Sequence, residues 1–462
     1  MSDQDRQLLA PLAPAPHQIL IRGATIISMD GDVGNLPKGD ILIADGAIAA
    51  IGLHLEADGA EVIDAANMIA IPGMVDTHRH SWEGQLRRIN PNAATLEDYC
   101  NATHFSFAKY YRPRDIYVGN LLTALGCIDA GITTVIDNSH NSRTAAHSDA
   151  AVEALLDAGI RAVHASGPPV AGVWDEAHWP GNLARLQAKY FTDPNSLVTL
   201  AMMAQLQPDQ WAVARGLGIP IVTEFFGGVM ATELERLHQQ GLLGSDNIFN
   251  HCTCLPDSGW QILHEAGVRV NVCPRSDAHY GIENGMYAWQ AALHHGIRPG
   301  LSVDNETSYS GDMFMEMRVG FYLQRVMAHS QRVHGHHHAP APTNAFRLLE
   351  AATIDGAACA GLEQRIGSLT PGKQADVVLI RTGDLNIYPL NNAIGTVVHA
   401  AERSNIDTVI IGGRVRKRGG VVLGVDQATL RAAIDESCAH LFNAAGYQPD
   451  LFAESFAPIH LA

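Results

Sequence analysis

The run Pro72-Gly73-Met74-Val75-Asp76-Thr77-His78-Arg79-His80 is an apolar stretch that closes on His-x-His. Alternate residues of a strand point to one side. At the end of a barrel strand His78 and His80 can therefore turn both imidazoles on one metal ion. Taken alone, the pattern also fits ordinary core or surface histidines. A second run, Leu301-Ser302-Val303-Asp304-Asn305-Glu306, ends in a carboxylate. An Asp at a strand end can bind a metal and take a proton from bound water, although it can also simply cap the next turn. His251, closing Ile248-Phe249-Asn250-His251, is a third candidate.

Such groups work together only if several strands end at one place. Short apolar runs at residues 133–136, 161–164, 197–202, 219–224, 247–251, 268–273 and 299–304 alternate with longer Ala/Leu-rich segments of helical period. Repeated βα units mean a parallel sheet, open or closed. Between His80 and Asp304 there is room for seven units of about 32 residues, a natural size for a (β/α)8 barrel. No glycine-rich phosphate loop follows the first strand, which disfavours an open dinucleotide-binding sheet. The fold class predicted is α/β, a TIM-like barrel. β-like pieces at 19–27, 40–51 and 61–71 recur as 375–380 and 407–415, separated by Gly-rich turns, and predict a small composite β-sandwich built from both termini. The expected division is 1–72 and 363–425 for the sandwich, 73–362 for the barrel and 426–462 for a helical extension.

Composition sets limits on partners. The chain has 462 residues, 47% hydrophobic and 17% charged, with a formal net charge of −17. That is the profile of a folded globule, and its charge disfavours nucleic acid, which needs clustered Lys/Arg. No apolar run approaches membrane-spanning length. The first eighteen residues lack a signal peptide's apolar stretch, so the expectation is a cytoplasmic protein. The seven cysteines are scattered, and Cys252-Thr253-Cys254 has no second pair at zinc-ribbon distance, so they read as reduced, mostly buried thiols. The run His334-Gly335-His336-His337-His338, followed by Ala-Pro-Ala-Pro, reads as a loop.

Read in order, "ILIRGATIISMDG", "GDILIADGAIAAIG", "IPGMVDTHRH", "GITTVIDN", "GVRVNVCPRSD", "SVDNETSYSGDMFMEMR", "GSLTPGKQADVVLI" and "IDTVIIGGRV" resemble the amidohydrolase superfamily. The likeness is to its branch of triazine, guanine and cytosine aminohydrolases and chlorohydrolases, and covers nearly the whole chain. It implies a hydrolase of carbon–nitrogen bonds with one divalent ion, zinc first, and iron, manganese or cobalt as alternatives. The ligands implied are His78, His80 and Asp304, with Asp304 also the general base and His251 orienting water or polarising substrate. A metal with an open position lowers the pKa of bound water towards about 7. The expected substrate is a small nitrogen-containing heteroaromatic compound. Amide, urea or carbamate hydrolysis and an inactive binding relative are the alternatives. A homo-oligomer, dimer or tetramer, is also implied.

The chain departs from the resemblance at the fifth strand. Where relatives carry His-x-x-Glu, this sequence has Glu224-Phe225-Phe226-Gly227. Glu224 then stands at the metal-ligand position, or acts as a catalytic carboxylate beside a weakly held or absent metal. Gly227 stands where the proton donor is expected, and Glu306 is a possible substitute. Trp82, Phe105, Phe107, His279 and Tyr280 are candidates for lining the substrate pocket, and His140 lies at another strand end. Arg275 is expected to hold an anionic group or to pair with Asp277.

Overall fold

A computed structural model describes residues 8–12, 16–175 and 177–454. The N-terminal strands are β1 (Gln18–Ile27), β2 (Asn35–Ala44), β3 (Ala47–Gly52), β4 (Glu61–Asp64) and β5 (Met68–Pro72). Two of the runs read as single strands are interrupted by hairpin turns. Asp45-Gly46 breaks the 40–51 run into β2 and β3, with both residues at positive φ, as a two-residue hairpin turn requires. Gly412-Gly413 does the same between β15 (Ile406–Ile411) and β16 (Arg414–Arg418). The 61–71 run also divides, because β4 and β5 pair separately with β1.

With β14 (Val377–Arg381) and β17 (Val421–Val422), these segments form one nine-stranded sheet of order β17-β16-β15-β14-β5-β1-β2-β3, with β4 beside β1. The two ends of the chain meet where β5 pairs antiparallel with β14. Ile19, Ile21, Ile41, Ile43, Val377, Leu379 and Ile410 share this sheet's own core.

Eight further strands make the second sheet: β6 (Met74–Arg79), β7 (Ile132–Ser139), β8 (Arg161–Ser166), β9 (Val198–Met203), β10 (Ile221–Phe225), β11 (Asn247–His251), β12 (Arg269–Val272) and β13 (Gly300–Leu301). They pair in sequence order and in parallel. The ends join through a bridge between Arg79 and Asp304, so the sheet closes into a (β/α)8 barrel. Strands covered on both faces should be apolar or satisfied throughout, and every residue of β6, β7 and β8 is buried. Val75, Ile136, Val163, Val222 and Ile248 form one cluster with Ala357, Leu362 and Ile366, filling the barrel floor. Each such aliphatic side chain contributes about 1.5–3 kcal/mol of burial. The 299–304 run is strand at Gly300–Leu301 alone; Asp304 lies beyond it with φ +74°.

The helix Gln427–Ala445 packs on the helix Pro113–Asp129. Among the described residues no helix is long and apolar enough to cross a membrane. All seven cysteines are free, with Cys254 exposed and Cys127, Cys252, Cys273 and Cys359 buried. His336, His337 and His338 lie in an exposed turn after the helix Met313–Val333.

Candidate active site at the barrel mouth

The carboxyl ends of the strands deliver a cluster of imidazoles and carboxylates. Asp304 is fastened between the two histidines by its backbone: its N–H donates to the His78 carbonyl at 2.8 Å, and its carbonyl accepts from the His80 N–H at 2.8 Å. Its Oδ1 then lies 3.2 Å from Nε2 of both His78 and His80. Glu224, from β10, brings Oε1 to 3.5 Å from His78 Nε2 and 3.7 Å from His80 Nε2, while Oε2 lies 3.4 Å from His251 Nε2. His140, just after β7, stands 3.7 Å from Glu224 Oε1. The structure thus brings together His78, His80, Glu224, His251 and Asp304, and adds His140.

Neighbouring side chains hold the rings. His80 Nδ1 faces the Asn138 carbonyl at 3.0 Å; the Nδ1–H donates there, and Nε2 is the atom turned to the cluster. His251 Nδ1 is 2.7 Å from Asp277 Oδ1, which orients it the same way. His78 Nδ1 lies among the amides of Asn138 (2.5 Å) and Asn250 (2.9 Å). Asn138 Oδ1 has no partner, and turning that amide over presents it to the ring N–H. The Ser276 hydroxyl donates to Asp304 Oδ2.

The fit to a divalent ion rests on two orphaned atoms. His78 Nε2 and Glu224 Oε1 are buried without a hydrogen-bond partner, and both point into the cluster. One ligand atom each of His78, His80 and Glu224 lies within 4.8 Å of the others, and His78, His251 and Cys273 form an overlapping set. Buried polar atoms are rarely left unpaired unless something else completes them, and two imidazoles with two carboxylates suit zinc, iron, manganese or cobalt.

The electrostatics agree. Burial opposes ionisation of Asp304 and Glu224, but the surrounding histidines outweigh it and hold both carboxyls below the usual range. Burial would likewise discharge His80, yet Asp304, Glu83 and Glu224 raise it to about 10. Ligation needs the neutral ring, so ion binding releases that proton. Burial together with His80 keeps His104 (about 3) and His140 neutral.

Other expected groups fall differently. Arg275 pairs with Glu316, not Asp277, because Asp277 is taken by His251. Glu306 is held by Arg79 and Arg87, so neither oxygen is free to replace the missing acid. Trp82 is wholly buried against Tyr111 and His104, and Phe107 packs in the core while Phe105 is exposed. His279 stacks edge-on to Tyr280 and Tyr309. At Gly227 a Cβ would lie 2.5 Å from both the Thr253 carbonyl and Leu255 Cβ, so no acid can stand there without moving that loop.

Sequence reasoning missed Glu83, one helical turn beyond His80. Its carboxyl is buried, Oε1 accepts from the Tyr99 hydroxyl at 2.7 Å, and Oε2 has no partner. Burial raises it to about 7 against the pull of His80 and Tyr99. A carboxylate three residues past His-x-His was the available signal.

Fold and cluster together define a barrel with a donor set for one divalent ion at its mouth. Residues 218–416 match the amidohydrolase family profile. The chain is 28% identical over 452 residues to the 5-methylthioadenosine/S-adenosylhomocysteine deaminase of Desulforamulus reducens, covering 92% of this chain and 99% of that one. It is 25% identical to the 5'-deoxyadenosine deaminase of Methanosarcina barkeri, over 88% and 95%. Similar solved structures include an adenosine deaminase from Xanthomonas campestris with bound zinc (TM-score 0.79, 21% identity, 93% and 100% covered). Another is the zinc complex of atrazine chlorohydrolase from Arthrobacter aurescens TC1 (TM-score 0.77, 21% identity, 91% and 100% covered). The chain is thus similar in sequence to amidohydrolases and deaminases and in fold to zinc-bound members of that group.

Proposed function

We propose that this protein is a metal-dependent aminohydrolase that removes an amino group from a heteroaromatic ring and releases ammonia. The observation that carries it is the convergence of His78, His80, Glu224 and Asp304 on one point, two of their buried atoms having no protein partner. The names of the two relatives reported above, both deaminases, support the substrate class.

His78, His80, Glu224 and Asp304 would hold the ion, with zinc proposed first. Such an ion polarises water and lowers its pKa. Asp304, kept ionised by the two imidazoles, takes a proton from the attacking water and passes it to the leaving nitrogen. The new C–O bond forms at the ring carbon as the C–N bond breaks, and the nitrogen leaves as ammonia. His251, fixed by Asp277, aims its Nε2 at the water or the substrate. Glu83 offers its free Oε2 to the ring in place of a residue at 227. A homo-oligomer acting in the cytoplasm is part of the same proposal, with exposed Tyr322, Val326 and Val333 on one helix as an apolar face for a second copy.

The closed space at Gly227 favours a second reading, amide, urea or carbamate hydrolysis, which needs no donor to a ring nitrogen. The test is metal content of tag-free, chelator-washed protein by mass spectrometry, followed by ammonia assays on amino-purines, amino-pyrimidines and amino-triazines. About one ion per chain, lost in a His78→Ala/His80→Ala variant, with ammonia from one ring class, is the expected result. Amine plus carboxylate from an amide panel would replace the first reading by the second. No retained ion after reconstitution would end both.

A further inference from the structure

On the flank of the barrel, away from the mouth cluster, lies a cleft of about 470 Å3 lined by Arg87, Arg88, Arg318, Arg403, Glu306 and Glu402. We propose that this cleft is a binding site for a small phosphate-bearing anion, recognised chiefly by Arg88 with Arg318 and Arg403.

Along this cleft four guanidiniums stand against three carboxylates, a local excess of positive charge in a chain whose net charge is −17. Each acid of the cleft is tied down, Glu306 by arginines and Glu402 and Asp312 by neutral donors that fix their direction. Glu306 is held by Arg79 and Arg87, the side chain of Glu402 caps the short turn Arg403–Asn405, and Asp312 accepts from Ser310 and from the Met315 N–H. Arg318 rests on the carbonyls of Val398 and Ala401, which satisfy its N–H groups without neutralising it. Arg403 meets Asp129 at 3.3 Å but is 63% exposed. Arg88 is exposed, and no described side chain bonds to its guanidinium. Partial burial, with Arg87 and Arg403 beside it, holds Arg88 below its ordinary pKa despite Glu306.

The backbone presents Arg88 deliberately. It stands at φ +57°, a conformation that disfavours a side chain, and its N–H donates to the Glu306 carbonyl at 2.9 Å. Guanidinium groups suit phosphate through paired N–H donors, and the volume exceeds that of phosphate alone, leaving room for a small organic group. The site shares no proposed ligand with the mouth, so it stands or falls independently of the deaminase proposal.

The test is calorimetric titration of the metal-loaded enzyme at constant ionic strength, with inorganic phosphate in one arm and glycerol 3-phosphate in the other. One anion per chain is expected, and tighter binding of the ester would point to an organic phosphate as the natural ligand. Arg88→Gly should weaken binding at least tenfold while the melting temperature holds or rises, because glycine accepts φ +57° freely. Arg88→Gln serves if that variant misfolds. No binding by wild type, or equal binding by the Arg88 variants, would overturn the proposal. So would binding that survives in those variants but disappears in Asp304→Asn, since the anion would then sit at the mouth.

Discussion

Two sets of buried charges sit at different places in this molecule and are built on opposite rules. Where the barrel meets the nine-stranded sheet, Arg161 and Asp376 form a two-pronged pair at 2.9 and 2.8 Å, and the Gly412 N–H adds a third bond to Asp376 at 2.7 Å. Both side chains are almost wholly buried, and both carboxylate oxygens of Asp376 are engaged. At the mouth, His78, His80 and Asp304 are buried and Glu224 nearly so, yet two of their atoms have no partner, and two residues of the site, His251 and Asp304, hold positive φ. A buried charge with every valence met is architecture. Buried charges that converge on one point with atoms left unpartnered, on backbone held in a costly conformation, are arranged for chemistry.

The sharpest way to break this contrast is to neutralise one carboxylate in each set. Asp304→Asn keeps the shape of the mouth but removes the proton carrier, so kcat should fall by about 10³-fold, within the range attributed to general acid–base groups. A fall of less than tenfold would remove Asp304 from the role proposed here. Asp376→Asn should do the reverse. It leaves the Arg161 charge buried without its partner, at a cost of about 3–5 kcal/mol, seen as a lower denaturant midpoint. Activity per folded, metal-loaded enzyme should stay within about twofold of wild type, and a large loss of kcat at unchanged stability would erase the distinction between the two sets.

How much of this was legible beforehand follows the same division. The barrel could be read because a parallel strand buried on both faces is a short, nearly continuous apolar run, and seven of these recur with helical segments between them. His78 and His80 could be read because their spacing is local. Glu224 and Gly227 were noticed as departures, but the reason for the glycine was not visible. It lies in the Thr253 carbonyl and Leu255, which approach from the next βα unit. The same holds for Asp277, twenty-six residues from the histidine it orients. Arg275, two residues before Asp277, read as an anion-binding group or as that residue's ion-pair partner, but the turn of the helix Pro274–His279 sends the two side chains to different partners. Sequence adjacency carried no information about direction there. The hairpin breaks at Asp45-Gly46 and Gly412-Gly413 were legible in principle, since both are two-residue turn signals.

The smallest expected effect tests whether the structural half of the molecule carries titrating charges of its own. Asp355 lies in the first turn of the helix Ile354–Cys359, which packs against β6, β12 and β13 at the barrel floor. Burial raises its carboxyl to about 6, although Arg298 at 2.9 Å pulls the other way. The folded protein therefore holds a proton near pH 5 that the unfolded chain, with an ordinary aspartate, has already released. The resulting stability is complete below about pH 4, declines as pH rises, and is gone above about pH 6. Denaturant melts of wild type and Asp355→Asn between pH 4 and 7 isolate this one group. Relative to the variant, wild type should lose stability by no more than 1.4 kcal/mol per pH unit up to pH 6, then run parallel to it. A difference that stays constant or rises across that window would mean that Arg298 wins over burial. The floor pair would then behave like Arg161 and Asp376, with its charge fully met, and unmet charge would be confined to the mouth and the arginine-lined flank.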